Sequence, residues 1–149
     1  MGVGKTVQAI AVASIYRVEW PMLIIAPSFL KYVWRTEILR WLRPSIGPGD
    51  IQIVQTSKDH WNINAAVYII SYDLATKKED EIQKLKFKVC IADEAHYLKS
   101  GTTKRTKALL PILSQAQRCI LITGTPILSR PCELFNILKC LRPDIIHSF

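Results

Sequence analysis

Two hydrophobic periods alternate along this chain. A helical period runs from Lys5 to about Arg17, with Val7, Ile10, Ala11 and Ser14 on one face. It gives way at Met22–Ala26 to a short unbroken apolar run, stopped by Pro27, that reads as a buried strand. Ser28 is placed to cap a second helix, in which Leu30, Val33, Trp34, Ile38, Trp41 and Leu42 recur at helical spacing until Pro44 ends it. The stretch PSIGPGD, Pro44–Asp50, is a turn. Ile51–Gln55 and Val67–Ser71 read as strands, and Asp73 is placed to cap a charged helix through Leu85. Phe87–Ala92 is another apolar strand, with Asp93 at its C-terminal end. Thr102–Gln117 reads as a helix that Pro111 kinks or restarts, Cys119–Thr123 as a strand and Pro131–Leu141 as a final helix.

Apolar strands alternating with amphipathic helices predict an α/β fold. Its mainly parallel sheet is covered by helices on both faces, giving three layers. In such sheets ligands bind beyond the C-terminal ends of the strands, which places Asp93 and Thr123 at the same edge as the glycine-rich opening. The 149 residues suit one domain with a sizeable core, and 49% hydrophobic residues exclude a disordered polar chain. No apolar run approaches the roughly 18 residues of a membrane helix, and no signal-peptide layout is present, so a soluble intracellular protein without a membrane partner is expected.

Lysine and arginine outnumber acids 20 to 12, for a net charge of +8, which favours a polyanionic partner such as DNA or RNA over a merely basic surface only when other signals agree. The four cysteines, Cys90, Cys119, Cys132 and Cys140, form no C-x-x-C pair. That spacing argues against zinc, and the apolar setting of Cys90 and Cys119 suits buried free thiols in a reducing compartment.

Three motifs carry chemistry. Gly2-Val3-Gly4-Lys5-Thr6 has the make-up of a phosphate-binding loop. Its glycines let backbone N–H groups approach phosphate, the following helix presents its positive end, Lys5 reaches the β- and γ-phosphates, and the Thr6 hydroxyl ligates Mg2+. The full pattern has an earlier small residue at a position before Met1. Asp93-Glu94-Ala95-His96 follows an apolar strand. Asp93 is suited to hold a phosphate-bound Mg2+, and Glu94 to orient or deprotonate an attacking water. Thr123-Gly124-Thr125-Pro126 also leaves a strand, and threonine hydroxyls there can bridge to His96. Each motif alone has a plain reading as a turn. Their order in one chain sets that reading aside.

GKT, DEAH and TGTP in this order and spacing resemble the first RecA-like lobe of superfamily 2 helicases, and specifically the Swi/Snf-type DNA translocases. The intervening text, "EWPMLIIAPSFLKYVWRTEILRWL", "DEAHYLKS", "TKRTKALLPIL" and "LITGTPILSRPCELF", resembles the HARP-type annealing-helicase branch, enzymes that rewind DNA and remodel stalled forks. The likeness runs nearly end to end. That branch often has Ser where this chain has Ala95. The resemblance implies a RecA-like P-loop NTPase lobe, ATP and Mg2+ as cofactors, forked or double-stranded DNA as partner, and a nuclear location. It assigns Pro27 and Ser28, and Ser71 and Tyr72, to strand-end segments that contact the DNA backbone through N–H and hydroxyl donors, which positions without reading sequence. It makes His96, Thr123, Gly124 and Thr125 the elements that couple nucleotide state to movement. Lys31, Lys99, Lys104 and Arg105 read as solvated surface first and as added DNA-facing charge second. Trp34 and Trp41 fit a helix core face better than base stacking, and His60 and His147 read as surface residues.

In the family the loop reads D-E-M-G-L-G-K-T, so Met1 aligns with an internal methionine. Residues 1–149 are therefore expected to be a helicase ATP-binding domain incomplete at its N-terminus, lacking its first strand and the second RecA-like lobe of a parent chain. Weak or no hydrolysis by such a piece alone follows, together with exposed sheet edges. Two functional classes stay open: a lobe of a DNA-dependent ATPase, and a non-catalytic module that binds DNA or a protein without turnover.

Overall fold

Met22–Ala26 (β1) is buried at every position, as an apolar run without a polar face requires when helices cover both sides of a sheet. The structure, a computed structural model, describes residues 4–124, 131–142 and 144–145. Its other strands are β2 (Ile51–Ile53), β3 (Val67–Ser71), β4 (Val89–Ala92) and β5 (Arg118–Leu121). They form one parallel sheet in the order β2-β3-β1-β4-β5. The helices are α1 (Lys5–Ile15), α2 (Lys31–Leu42), α3 (Tyr72–Lys77), α4 (Glu79–Leu85), α5 (Lys104–Gln115) and α6 (Pro131–Leu141). No described helix is long and apolar enough to cross a membrane.

Strand alternation sorts the core into two clusters. Leu23 and Ile25 of β1, Tyr68 and Ile70 of β3, and Cys90 and Ala92 of β4 face α3, α4, α5 and the Cys140 end of α6. Met22, Ile24, Val67, Ile69, Val89 and Ile91 face α1 and α2 on the other side. Each fully buried Leu or Ile contributes about 1.5–3 kcal/mol. The three layers foreseen from the alternating periods are therefore present. The chain passes from β1 to β2 and β3 on one side, then returns to β4 on the other. That reversal between β1 and β4 is where such sheets open a binding crevice at their carboxyl edge.

Several local readings are corrected. The face that α1 buries is Ala9, Ile10 and Ala13, of which the two alanines are small, whereas Ala11 is exposed. Ser28 caps no helix: Ser28–Leu30 is a 3-10 turn, and α2 begins at Lys31 without a side-chain cap. The charged helix expected from Asp73 to Leu85 is two helices broken at Lys78. The Lys78 ammonium is buried there and donates to the Asp59 carbonyl at 3.0 Å and to Glu81 Oε2 at 2.9 Å. Ser71, not Asp73, caps α3 by accepting from the Leu74 N–H at 3.4 Å, while Asp73 pairs with Arg105 at 2.8 Å. α5 runs through Pro111, whose ring is exposed and disturbs no packing, and Thr103 caps it. Trp41 is 51% exposed and donates to Glu37, so the core-facing reading of that residue is wrong, whereas Trp34 is fully buried. β5 is half-buried along most of its length, in contrast to the fully buried β1, β3 and β4.

Candidate nucleotide and nucleic-acid site

Gly4 starts the site. It takes a left-handed conformation (φ 69°, ψ 26°), and its carbonyl accepts from the Gln8 N–H at 3.0 Å to open α1. Among the described residues α1 has no side-chain cap and no acid in its first turn, so its positive dipole end suits an anion. A Cβ on Gly4 would stand 3.3 Å from Val7 Cγ1. Gly4→Ala is expected to lower stability by about 1–2 kcal/mol through the positive φ alone, read as a shift in the urea unfolding midpoint at unchanged slope.

Lys5 reaches across the cleft. A Cβ on Gly124 would lie 3.2 Å from Lys5 Nζ, so the ammonium rests close against the exit of β5. A cleft of about 560 Å³ joins Gly4, Lys5 and Thr6 on the α1 side to Asp93 and Glu94 at the end of β4, with α2 forming the far wall. Gly2, Val3, Thr125 and Pro126 lie outside the described residues, as does His147.

Asp93 is held from several directions. It is 7% exposed. Its Oδ2 accepts from the Trp34 indole Nε1 at 2.8 Å, and its Oδ1 from the Glu94 N–H at 2.8 Å. Its main-chain oxygen accepts from the Tyr72 hydroxyl at 2.6 Å, and its own N–H continues the sheet to the Ile25 carbonyl at 2.8 Å. Burial pushes the Asp93 carboxyl above the usual aspartate value, and the Glu94 charge adds to this. The Trp34 and Glu94 N–H hydrogen bonds and the Lys5 charge pull the other way. A cation placed beside it favours the carboxylate.

Glu94 follows in a left-handed conformation (φ 52°, ψ 49°) that a non-glycine residue adopts at a cost, and such strain clusters at functional sites. That turn aims its carboxylate at His96, with Oε2 3.1 Å from Nδ1. Thr123 Oγ1 lies 3.4 Å from the same nitrogen. His96 and Thr123, paired on sequence grounds, are thus brought together, with Glu94 on the same ring. The Ile122 carbonyl accepts from the Ala95 N–H at 2.7 Å, which ties the exits of β4 and β5.

The strand-end segments divide. Pro27 is buried and Ser28 exposed at the end of β1. Ser71 and Tyr72 are only 4% and 2% exposed, and both hydroxyls are engaged inside the protein. Hydroxyl contact with phosphate from those two residues, expected from the sequence, is not available in this conformation. Burial holds the Tyr72 phenol protonated, well above its ordinary range. Neither reading of Lys31 survives: it is 6% exposed, and its ammonium donates to the Val54 carbonyl at 3.0 Å. Lys104 is exposed, and Arg105 is half-buried over the Tyr72 and Tyr97 rings at 5.7 and 5.1 Å. His60 is exposed, as expected.

Sequence reasoning placed Trp34 in the core and missed its polar tip. A buried indole N–H needs an acceptor, and Trp34 on α2 finds one in the carboxylate at the end of β4. Tyr97 was also missed. It stacks on Tyr72 with centroids 5.2 Å apart and planes at 10°.

Known proteins match this arrangement. The family described as the SNF2-related domain matches residues 1–149. The chain is 45% identical to the SWI/SNF-related matrix-associated actin-dependent regulator of chromatin subfamily A-like protein 1 of Bos taurus, over 100% of this chain and 16% of that protein. It is 45% identical to the DNA annealing helicase and endonuclease ZRANB3 of Bos taurus, over 97% of this chain and 14% of that protein. Among solved structures, the Sulfolobus solfataricus SWI2/SNF2 ATPase core in complex with dsDNA is similar with a TM-score of 0.82 and 25% identity, over 99% of this chain and 31% of that one. The chain thus spans about a sixth of the length of the curated relatives it matches.

Proposed function

This chain belongs to the SNF2-related domain family, and on that premise we propose that it is the ATP-binding lobe of a DNA-dependent ATPase, a translocase of the annealing-helicase kind that rewinds DNA and remodels replication forks or chromatin in the nucleus. One observation carries the reading. The uncapped N-terminus of α1 with Lys5, and the Asp93-Glu94 pair, line a single cleft at the carboxyl edge where the strand order reverses.

These residues fit ATP and Mg2+. The left-handed Gly4, the free positive end of α1 and the Lys5 ammonium suit the phosphates, with Gly2 and Val3 completing the loop. Thr6 and Asp93 share the cleft and supply the hard oxygen donors that Mg2+ prefers. When bound, the metal neutralises charge on the transferring phosphoryl group. Glu94 orients the attacking water and takes its proton. His96, touching both Glu94 and Thr123, relays the state of the site to Gly124 and Thr125 and so to a neighbouring domain. Duplex or forked DNA lies along the strand ends, met by the main chain at Pro27 and by the exposed Ser28. At Ser71 and Tyr72, whose hydroxyls are used internally, only the main chain contributes. A second RecA-like lobe of the parent protein supplies the arginine that raises such rates by about 10³- to 10⁵-fold.

The test is ATP hydrolysis by the full-length protein with and without forked DNA. DNA-stimulated turnover is the expected result. Binding of DNA with no turnover under either condition would replace the enzyme by a non-catalytic binding module.

A further inference from the structure

The segments that leave β1 and β3 each lead to one aromatic hydrogen-bond donor, and both donors end on Asp93. Trp34 sits two turns along the turn-and-helix stretch that follows Pro27 and Ser28. Tyr72 is the first residue of α3, directly after Ser71. They approach from opposite faces of the sheet. Trp34 belongs to the core cluster under α1 and α2, and Tyr72 to the cluster under α3, α4 and α5. Trp34 donates to the carboxylate at 2.8 Å and Tyr72 to the main-chain oxygen at 2.6 Å. Both are nearly or fully inaccessible, so neither bond competes with water. We infer that Trp34 and Tyr72 are positioning residues that hold Asp93 in the orientation needed to receive Mg2+, and that through them the two strand-end segments set the geometry of the metal site.

The geometry gives each donor a distinct task. The Trp34 bond occupies Oδ2 and the Glu94 N–H occupies Oδ1 from the main-chain side, which fixes the carboxylate plane. The Tyr72 bond fixes the peptide on which that carboxylate stands. Tyr72 is itself backed by Tyr97, stacked at 5.2 Å, and by Arg105, which is anchored to Asp73 at 2.8 Å. A displacement of α2 or α3 therefore turns or shifts Asp93. Loss of an outer partner of a metal-binding side chain commonly costs about 10- to 100-fold in metal affinity.

The inference rests on the ATP-lobe reading, and one experiment separates the two. Binding of a fluorescent ATP analogue to full-length protein is measured first in EDTA and then with Mg2+ titrated in. Wild type is compared with Tyr72→Phe, which keeps the ring and deletes only the hydroxyl, and with Trp34→Phe, which deletes the indole N–H and also shrinks the ring. The expected result is analogue binding in EDTA within about twofold of wild type and an Mg2+ half-saturation raised about tenfold in each variant. An unchanged Mg2+ half-saturation in a folded variant overturns the inference and leaves the ATP reading standing. A parallel fall in metal-free and metal-dependent binding assigns a structural role only, and also overturns it. Wild type that binds no analogue fails the ATP reading, and the inference falls with it. Should Trp34→Phe fail to fold, Tyr72→Phe still decides.

Discussion

Glu94→Gln is expected to lower ATP turnover by about 100- to 10,000-fold while leaving nucleotide binding nearly intact. The half-buried side chain is held by a left-handed backbone and by His96 at 3.1 Å, so its carboxylate has a defined place beside Asp93 rather than a solvent-averaged one. Glutamine keeps that shape and can still hydrogen-bond the imidazole, but it cannot accept a proton from water. Single-turnover hydrolysis should therefore collapse, while the same protein retains a bound ATP analogue with wild-type affinity. Turnover within a few-fold of wild type would remove Glu94 from the role of base and leave water activation to another group.

Lys5→Ala carries the second large effect, a fall of about 100- to 1,000-fold in turnover, the magnitude attached to removing one preorganised charge or donor from a reacting centre. Lys5 Nζ is seated close to Gly124 and its charge favours the ionised form of Asp93; in the proposed function it also meets the phosphates. Both contributions vanish together in the alanine variant. DNA affinity should hardly change, because Lys5 lines the cleft it shares with Asp93 and Glu94 rather than the proposed DNA-facing segments at Pro27, Ser28, Ser71 and Tyr72. DNA-stimulated turnover equal to wild type in Lys5→Ala would argue that phosphate is bound elsewhere. Equal loss of DNA binding would point to misfolding, which the unfolding midpoint resolves.

Much of this architecture was legible in one dimension. β1, β3 and β4 are apolar at almost every position, and only a sheet covered on both faces buries such runs, so strand identity and the three layers followed from pattern alone. The strand-end rule then placed Asp93, Thr123 and the start of α1 on one edge. Where local chemistry competed with distant partners, pattern failed. Lys78 sits inside a charged stretch that reads as one helix, yet its ammonium is drawn inward to the Asp59 carbonyl, 19 residues away, and the helix breaks there. Lys31 has the look of a surface cation at a helix start, but the Val54 carbonyl, 23 residues on, accepts it in the interior.

The sequence by itself determined the order of elements, the parallel sheet and the identity of the residues that carry charge and hydroxyls into the cleft, because those depend on hydrophobic period and on motifs contiguous in the chain. The tertiary structure alone decided how Asp93 is held. Trp34 lies 59 residues before it and Tyr72 lies 21 before it, and no periodicity links them. They meet because β1 and β3 are neighbours in the sheet and β4 pairs with the other side of β1, which brings the ends of three strands and the helices that follow two of them around one carboxylate. A buried indole N–H and a buried phenol each need an acceptor, and in this packing Asp93 supplies both.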